Sequence, residues 1–233
     1  MTSTEIFEKV KAEGRAALTE IESKELMKMA GIPVAESRLA RSKNEAAAFS
    51  RELGFPVVMK IVSPDVIHKS DSGGVKLNIR NATEAGKAYV DIVSSVKSHH
   101  PQANILGVSV QKMAPAGTEV IIGMTRDPQF GPVIMFGLGG VMVEVMKDVS
   151  FRIVPLSPKD AAEMITEIKG YPLLTGYPGS KPVDIKCLEE ILAKVSIFAA
   201  RNPQVKEIDL NPVIVYPEKA IAVDSRIIVG NNT

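Results

Sequence analysis

Two apolar stretches, Ile105 to Met113 and Thr118 to Met124, stand in the middle of the chain with only a short turn, Pro115–Gly117, between them. They read as strands joined by that turn, and two lobes sharing a cleft would be joined near Lys112–Gly117. The rest of the chain alternates helical and strand patterns irregularly. Such mixed order with several hairpins argues for an α+β arrangement and against a regularly wound parallel sheet.

The local patterns are specific. Ile6, Val10, Ala17, Leu18, Ile21 and Leu26 recur near the helical period between Thr4 and Ala30, with Gly14 as a break and Gly31 and Pro33 as a stop. A short strand spans Pro33 to Leu39. Ser42 with Glu45 predicts a capping box opening a helix to Leu53. Val57 to Val62 reads as a strand and Ser72 to Gly74 as a turn. A strand from Val75 to Ile79 follows, then a helix capped by Thr83 and running to Lys97. Further strands fall at Val133 to Phe136 and Val141 to Met146, with a turn at Gly137–Gly140. Helices are expected at Pro158 to Lys169 and Asp184 to Arg201, and strands at Glu207 to Val215 and Ala220 to Val223.

Composition excludes several classes. With 233 residues, 45% hydrophobic and 24% charged, the chain can bury one large core or two small ones. A net charge of +1 gives no broad surface for nucleic acid or anionic membrane. Cys187 is the single cysteine, so an intramolecular disulfide is impossible and a reducing, cytoplasmic setting fits. It reads as a packing residue. No segment is long and apolar enough to span a bilayer, and the polar start MTSTEIFEKVKAEGR does not read as a signal peptide.

Four features could carry chemistry. Lys60 interrupts the apolar strand VVMKIV, where a charge needs a partner or ligand. It is either a phosphate contact or an edge-strand lysine reaching water. The stretch from His68 to Val75, HKSDSGGV, packs an imidazole, hydroxyls and two glycines between strands. It can place backbone N–H groups around a phosphate, and neutral imidazole is a competent nucleophile toward phosphorus; it can also be a polar surface loop. FGLGG, at 136–140, follows a strand but precedes another, so it is no dinucleotide fingerprint. It reads as a hairpin whose glycines admit a close neighbour, or as a plain tight turn. Glu207, Asp209 and Asn211 alternate along one strand, and Asp224 ends the next. These hard oxygen donors suit Mg²⁺ beside phosphates, or a solvated strand face.

Taken together, VVMKIVSPDVIHKSDSGGV, QKMAPAGTEVIIGMTRDPQFGPVIMFGLGG and EIDLNPVIV resemble the ATP-grasp subunit of ADP-forming acetyl-CoA (acyl-CoA) synthetases, of the succinyl-CoA synthetase superfamily. The resemblance runs from about Glu20 to Ile228. It implies an ATP-grasp fold, two α/β lobes gripping a nucleotide in the cleft between them. The lobes would be residues 1–112 and 113–233, with 1–23 free to pack on the other lobe. It implies the cofactors ATP/ADP and Mg²⁺, and a CoA-binding alpha subunit as partner in an α₂β₂ heterotetramer. His68 matches the histidine that relays phosphate to ADP, with Ser72, Gly73 and Gly74 giving its loop room to hinge, and Gly73, Gly74 and Val75 would bind the nucleotide cofactor. Lys60 would contact nucleotide phosphates. Gln111, Lys112 and Met113 would read adenine through backbone groups. Glu119 would hold ribose or a phosphate-contacting lysine, and Arg126 would face the phosphates. Asn211 and Asp224 would hold the metal, with Asp209 beside them. The arginine that many relatives carry in the turn Gly176–Gly179 is missing. Two other readings compete: an ATP-grasp carboxylate ligase without the relay, and a nucleotide-binding module without chemistry.

Overall fold

The computed structural model describes residues 1–66, 69–140, 148–176 and 181–230. The expected strand Val141 to Met146, the turn Tyr177–Gly179 and His68 itself lie outside the described residues. The chain divides into two compact units. One comprises residues 19–21 and 35–115; the other comprises residues 1–18, 22–34 and 116–233.

The first unit is built on a four-stranded antiparallel sheet. Its strands are β1 (Ser37–Ala40), β2 (Val57–Val62), β3 (Val75–Ile79) and β4 (Gly107–Lys112), in the order β1-β4-β2-β3. Helices α3 (Lys43–Leu53) and α4 (Ala82–His99) pack on one face. Val57, Met59 and Ile61 join their core, and all six residues of β2 are buried, so VVMKIV reads as a continuous run. The cap of α4 is Asn81, whose side chain accepts the Glu84 N–H at 2.9 Å, and not the expected Thr83. Ser42 does cap α3, but Glu45 reaches back to the Arg41 N–H, one residue short of a closed capping box.

The second unit holds a six-stranded antiparallel sheet. Its strands are β5 (Thr118–Asp127), β6 (Gly131–Leu138), β7 (Val149–Ile153), β8 (Val205–Tyr216), β9 (Lys219–Ala222) and β10 (Arg226–Val229). They run β10-β8-β5-β6-β7, with β9 paired to the far half of β8. Helices α1 (Ser3–Ala12), α5 (Pro158–Glu167), α6 (Tyr171–Thr175) and α7 (Ile185–Arg201) accompany it, as does most of α2 (Glu20–Met29). Gly14 separates α1 from α2 at φ +64°, as the sequence suggested. Ile122, Met124, Ile134, Phe136, Ile208 and Leu210 point to the common core with Leu188, Ile191 and Leu192 of α7. The turn at Pro115–Gly117 joins strands of different sheets, and the two units divide between residues 115 and 116: β4 pairs with β1 and β2, β5 with β6 and β8. The apolar pattern of 105–124 is equally satisfied by two strands serving two cores.

One irregularity positions the site. Along β5 and β8, Ile122 faces Leu210 but Val120 faces Val213, so β8 carries one extra residue over 211–212. Such a bulge re-aims side chains locally. Before it Ile208 and Leu210 point inward; after it Val213 and Val215 do.

Candidate functional site

Within the first unit, Lys60 is 7% exposed on an interior strand. The edge-strand alternative is therefore excluded: β2 has β4 on one side and β3 on the other. Val57, Met59 and Ile61 take the helix-packed face, which turns Lys60 to the opposite one, beside Ser109. Its Nζ lies 3.1 Å from Glu20 Oε1. Lys69 Nζ reaches Glu20 Oε2 at 2.8 Å. Neither Glu20 nor Lys69 was singled out from the sequence. A glutamate at the first position of an amphipathic helix looks like ordinary helix-dipole compensation.

The Gly73–Gly74 turn differs from the expected hinge. Gly74 N donates to Lys69 O at 2.7 Å and Gly73 N to Ser70 O at 3.1 Å, so both N–H groups are spent inside the turn. They are not free to cradle a phosphate. Gly73 adopts φ +66°, and a Cβ there would stand 2.5 Å from Ser95 Oγ. A Cβ on Gly74 would meet Ile61 Cγ2 and Lys69 O, both at 2.7 Å. These residues are small because the turn is pressed onto β2 and α4. Gly74→Ala is expected to lower stability by about 1–3 kcal/mol in thermal denaturation, the usual cost of overpacking against backbone. Val75 pairs with Lys60 across β2 and β3, which brings the turn and the lysine together.

At the end of β4, Gln111 is buried and Lys112 exposed. Met113 N donates to Pro56 O at 2.9 Å. That donor is already used, so reading of a base through backbone groups would fall to the neighbouring positions.

Within the second unit, Glu119 lies on β5 opposite Ile214. Its carbonyl accepts Gly139 N at 2.7 Å. A Cβ on Gly139 would be 3.0 Å from Glu119 Cβ, and one on Gly140 would be 3.3 Å from Glu119 Oε2. The neighbour that the glycines of FGLGG admit is therefore Glu119. Arg126 takes another position than the expected phosphate-facing one. Its Nε donates to Val205 O at 2.7 Å and its Nη2 to Ala199 O at 2.8 Å and Asn202 O at 3.2 Å. It ties β5 to the start of β8 and to two carbonyls at the C-terminal end of α7, where a cation is favoured.

The acidic positions do assemble. Ile208 and Leu210 are buried while Glu207 and Asp209 are half-buried and Asn211 is exposed, so the three share the outer face. Arg226 pairs with Asp209 and Val213 with Ala222. Between these pairs the register sets Asp224 beside Asn211, and Val223 N donates to Pro212 O at 2.9 Å. Arg226, unanticipated from the sequence, bonds Glu207 and stands 4.0 Å from Asp209. Burial pushes the Asp209 carboxyl above the usual carboxylate range; Glu207 and Asp224 add to the rise and Arg226 opposes it. A carboxylate held in that state costs stability when charged. Asp209→Asn is therefore expected to melt higher than the natural chain at pH 7. The gain should fade as pH falls through the raised Asp209 value and vanish below the ordinary one. Melting curves across that range check it.

Among the described residues, no three His, Cys, Asp or Glu side chains group closely enough to enclose a metal by themselves. Asn211 and Asp224 with Asp209 form a sparse set of hard oxygens. That set fits a hard divalent cation completing its shell with water and phosphate, and does not fit zinc. Burial also pushes the Cys187 thiol up, which suits packing and not nucleophilic work. No described helix is long and apolar enough to cross a membrane.

Comparison with known proteins gives this geometry a family. A model described as "ATP-grasp domain" matches residues 9–229. The chain is 55% identical over 225 residues to the beta subunit of acetate–CoA ligase [ADP-forming] I of Pyrococcus furiosus, covering 97% of each. It is 47% identical to acetate–CoA ligase [ADP-forming] I of Archaeoglobus fulgidus, where the match covers 97% of this chain and 33% of the longer one. Acetyl-coenzyme A synthetase 1 of Ca. Korarchaeum cryptofilum, solved with coenzyme A, Ca-AMPCP and HgCl⁺, superposes with a TM-score of 0.95 at 52% identity, covering 98% of this chain and 100% of that one. Other structures of that enzyme carry a phosphorylated phosphohistidine segment, or have the segment pointing towards the nucleotide binding site. Sequence and fold thus agree, and the chain belongs to the ATP-grasp family of ADP-forming acetate–CoA ligase beta subunits.

Proposed function

We infer that the chain is the nucleotide-binding subunit of an ADP-forming acyl-CoA synthetase, catalysing acyl-CoA + ADP + phosphate ⇌ acid + CoA + ATP together with a CoA-binding alpha subunit. The observation that carries this is the 55% identity to a beta subunit along 97% of both chains. The longer A. fulgidus chain, of which the matched region is only a third, supports a partner module. The expected assembly is the α₂β₂ heterotetramer.

In this reading an imidazole nitrogen of His68 takes a phosphoryl group from the donor in the partner, forming a P–N bond as the donor bond breaks. The ADP β-phosphate oxygen then attacks phosphorus, the P–N bond breaks, and ATP leaves with a neutral histidine. Lys60 balances phosphate charge. Glu119 holds ribose or a phosphate-contacting lysine, and Gln111 to Met113 border the base. Asn211 and Asp224 hold Mg²⁺, with Asp209 alongside. When bound, Mg²⁺ supplies charge neutralisation on the phosphate oxygens. The phosphohistidine segment of the Korarchaeum enzyme supports the relay over direct carboxylate phosphorylation.

The test is chemical. The chain, incubated with Mg²⁺ and γ-labelled ATP, should acquire protein-bound phosphate that is acid-labile and base-stable. Label that survives acid, or no label at all, rejects the relay.

A further inference from the structure

The mechanism above uses Lys60 but leaves two charges beside it unexplained, the buried Glu20 and the half-buried Lys69. Glu20 has a side chain 1% exposed, and each of its oxygens accepts a different ammonium: Oε1 takes Lys60 Nζ at 3.1 Å, Oε2 takes Lys69 Nζ at 2.8 Å. Desolvating a carboxylate and two ammonium groups is expensive, and an apolar cluster of the same volume would serve stability as well. The cluster therefore points to a role other than packing. A single carboxylate holding both ammonium groups fixes their spacing before any ligand arrives.

Lys69 is held at its backbone as well. Its carbonyl accepts Gly74 N at 2.7 Å and Ser72 Oγ at 3.2 Å. Ser72 O in turn accepts Ser95 Oγ of α4 at 2.9 Å. The residue that follows His68 in the chain is thus fastened at both its carbonyl and its ammonium, close to the lysine expected on nucleotide phosphates.

We infer that Glu20 is a positioning residue for phosphoryl transfer: it aims Lys60 at the nucleotide phosphates and fastens Lys69, the neighbour of the phosphate-carrying histidine, to the same point. This rests on the nucleotide reading proposed above. Glu20 touches neither substrate nor phosphorus; it acts through two lysines.

The experiment uses the full chain and measures calorimetric affinity for Mg·ATP and for adenosine, with the labelling rate at saturating Mg·ATP. Glu20→Gln should weaken Mg·ATP binding by about tenfold and adenosine binding by less than about twofold. Lys69→Gln should keep Mg·ATP affinity within about threefold while slowing labelling at saturation by about tenfold or more. A purely structural Glu20 would weaken both ligands alike, and that result overturns the inference. So does Glu20→Gln with unchanged Mg·ATP affinity, or Lys69→Gln with unchanged labelling. A natural chain that binds no Mg·ATP overturns the parent reading itself. Should Glu20→Gln fail to fold, Glu20→Gln/Lys69→Gln removes one charge of each sign from the cluster and carries the same affinity comparison.

Discussion

His68→Asn is expected to abolish ATP formation from acetyl-CoA, ADP and phosphate by the assembled enzyme, with a loss of at least about a thousandfold, while Mg·ADP still binds. Asparagine keeps a similar volume and a polar tip but cannot accept a phosphoryl group. Loss of a covalent carrier removes a whole chemical step, so the effect on turnover should greatly exceed that of losing one binding contact. Acid-labile label on the chain should disappear with it. Coupled turnover measured beside calorimetric Mg·ADP binding separates the two effects. Turnover kept within a few fold would mean direct transfer between sites and would restore the carboxylate-ligase reading.

Phe136→Ala carries the largest expected effect on folding. Phe136 is fully buried on β6, in the core shared with α7, and is the largest such side chain among the described residues. Truncating it should cost about 3–5 kcal/mol, the transfer term plus the cavity left behind. For a unit of this size that corresponds to roughly 6–20 °C in melting temperature. Met135 next to it points to the opposite, half-exposed face with Phe151 of β7. Met135→Ala should cost about 1 kcal/mol or less. Similar shifts for the two variants would mean that the sheet's inner face is misassigned. Circular dichroism melts of both decide it.

The elements with strong local signals were legible. Val57 to Val62 and Val75 to Ile79 carry their own boundaries in flanking Gly, Pro and Ser, and both strands fall where the pattern sets them. Partnership was not legible. Nothing local in 105–124 distinguishes a hairpin from two strands in separate sheets, because both bury the same residues. β10 escaped notice because RIIV is only four residues long and depends on Glu207 to Asp209 for its pairing. At the site, the acidic alternation of β8 could be read because period two is visible in one strand. Glu20 could not, since its meaning comes from lysines 40 and 49 residues away. Arg126 shows the converse: a basic residue in a matching motif whose donors are spent on the end of a helix.

The bulge in β8 has a further consequence for how this strand tolerates change. Residues 207–210 and 213–216 are in effect two frames of side-chain alternation spliced at Asn211–Pro212. Deleting one residue at the splice would leave a strand of uniform parity in which Ile208, Leu210, Val213 and Val215 all still face the core, and only the re-aimed Asn211 position would be lost. A deletion inside either half would instead turn every side chain beyond it to the wrong face. Substitutions along β8 should therefore be far better tolerated than length changes away from the splice, and among relatives insertions and deletions should be found at the Tyr216–Lys219 turn and not within either half of the strand.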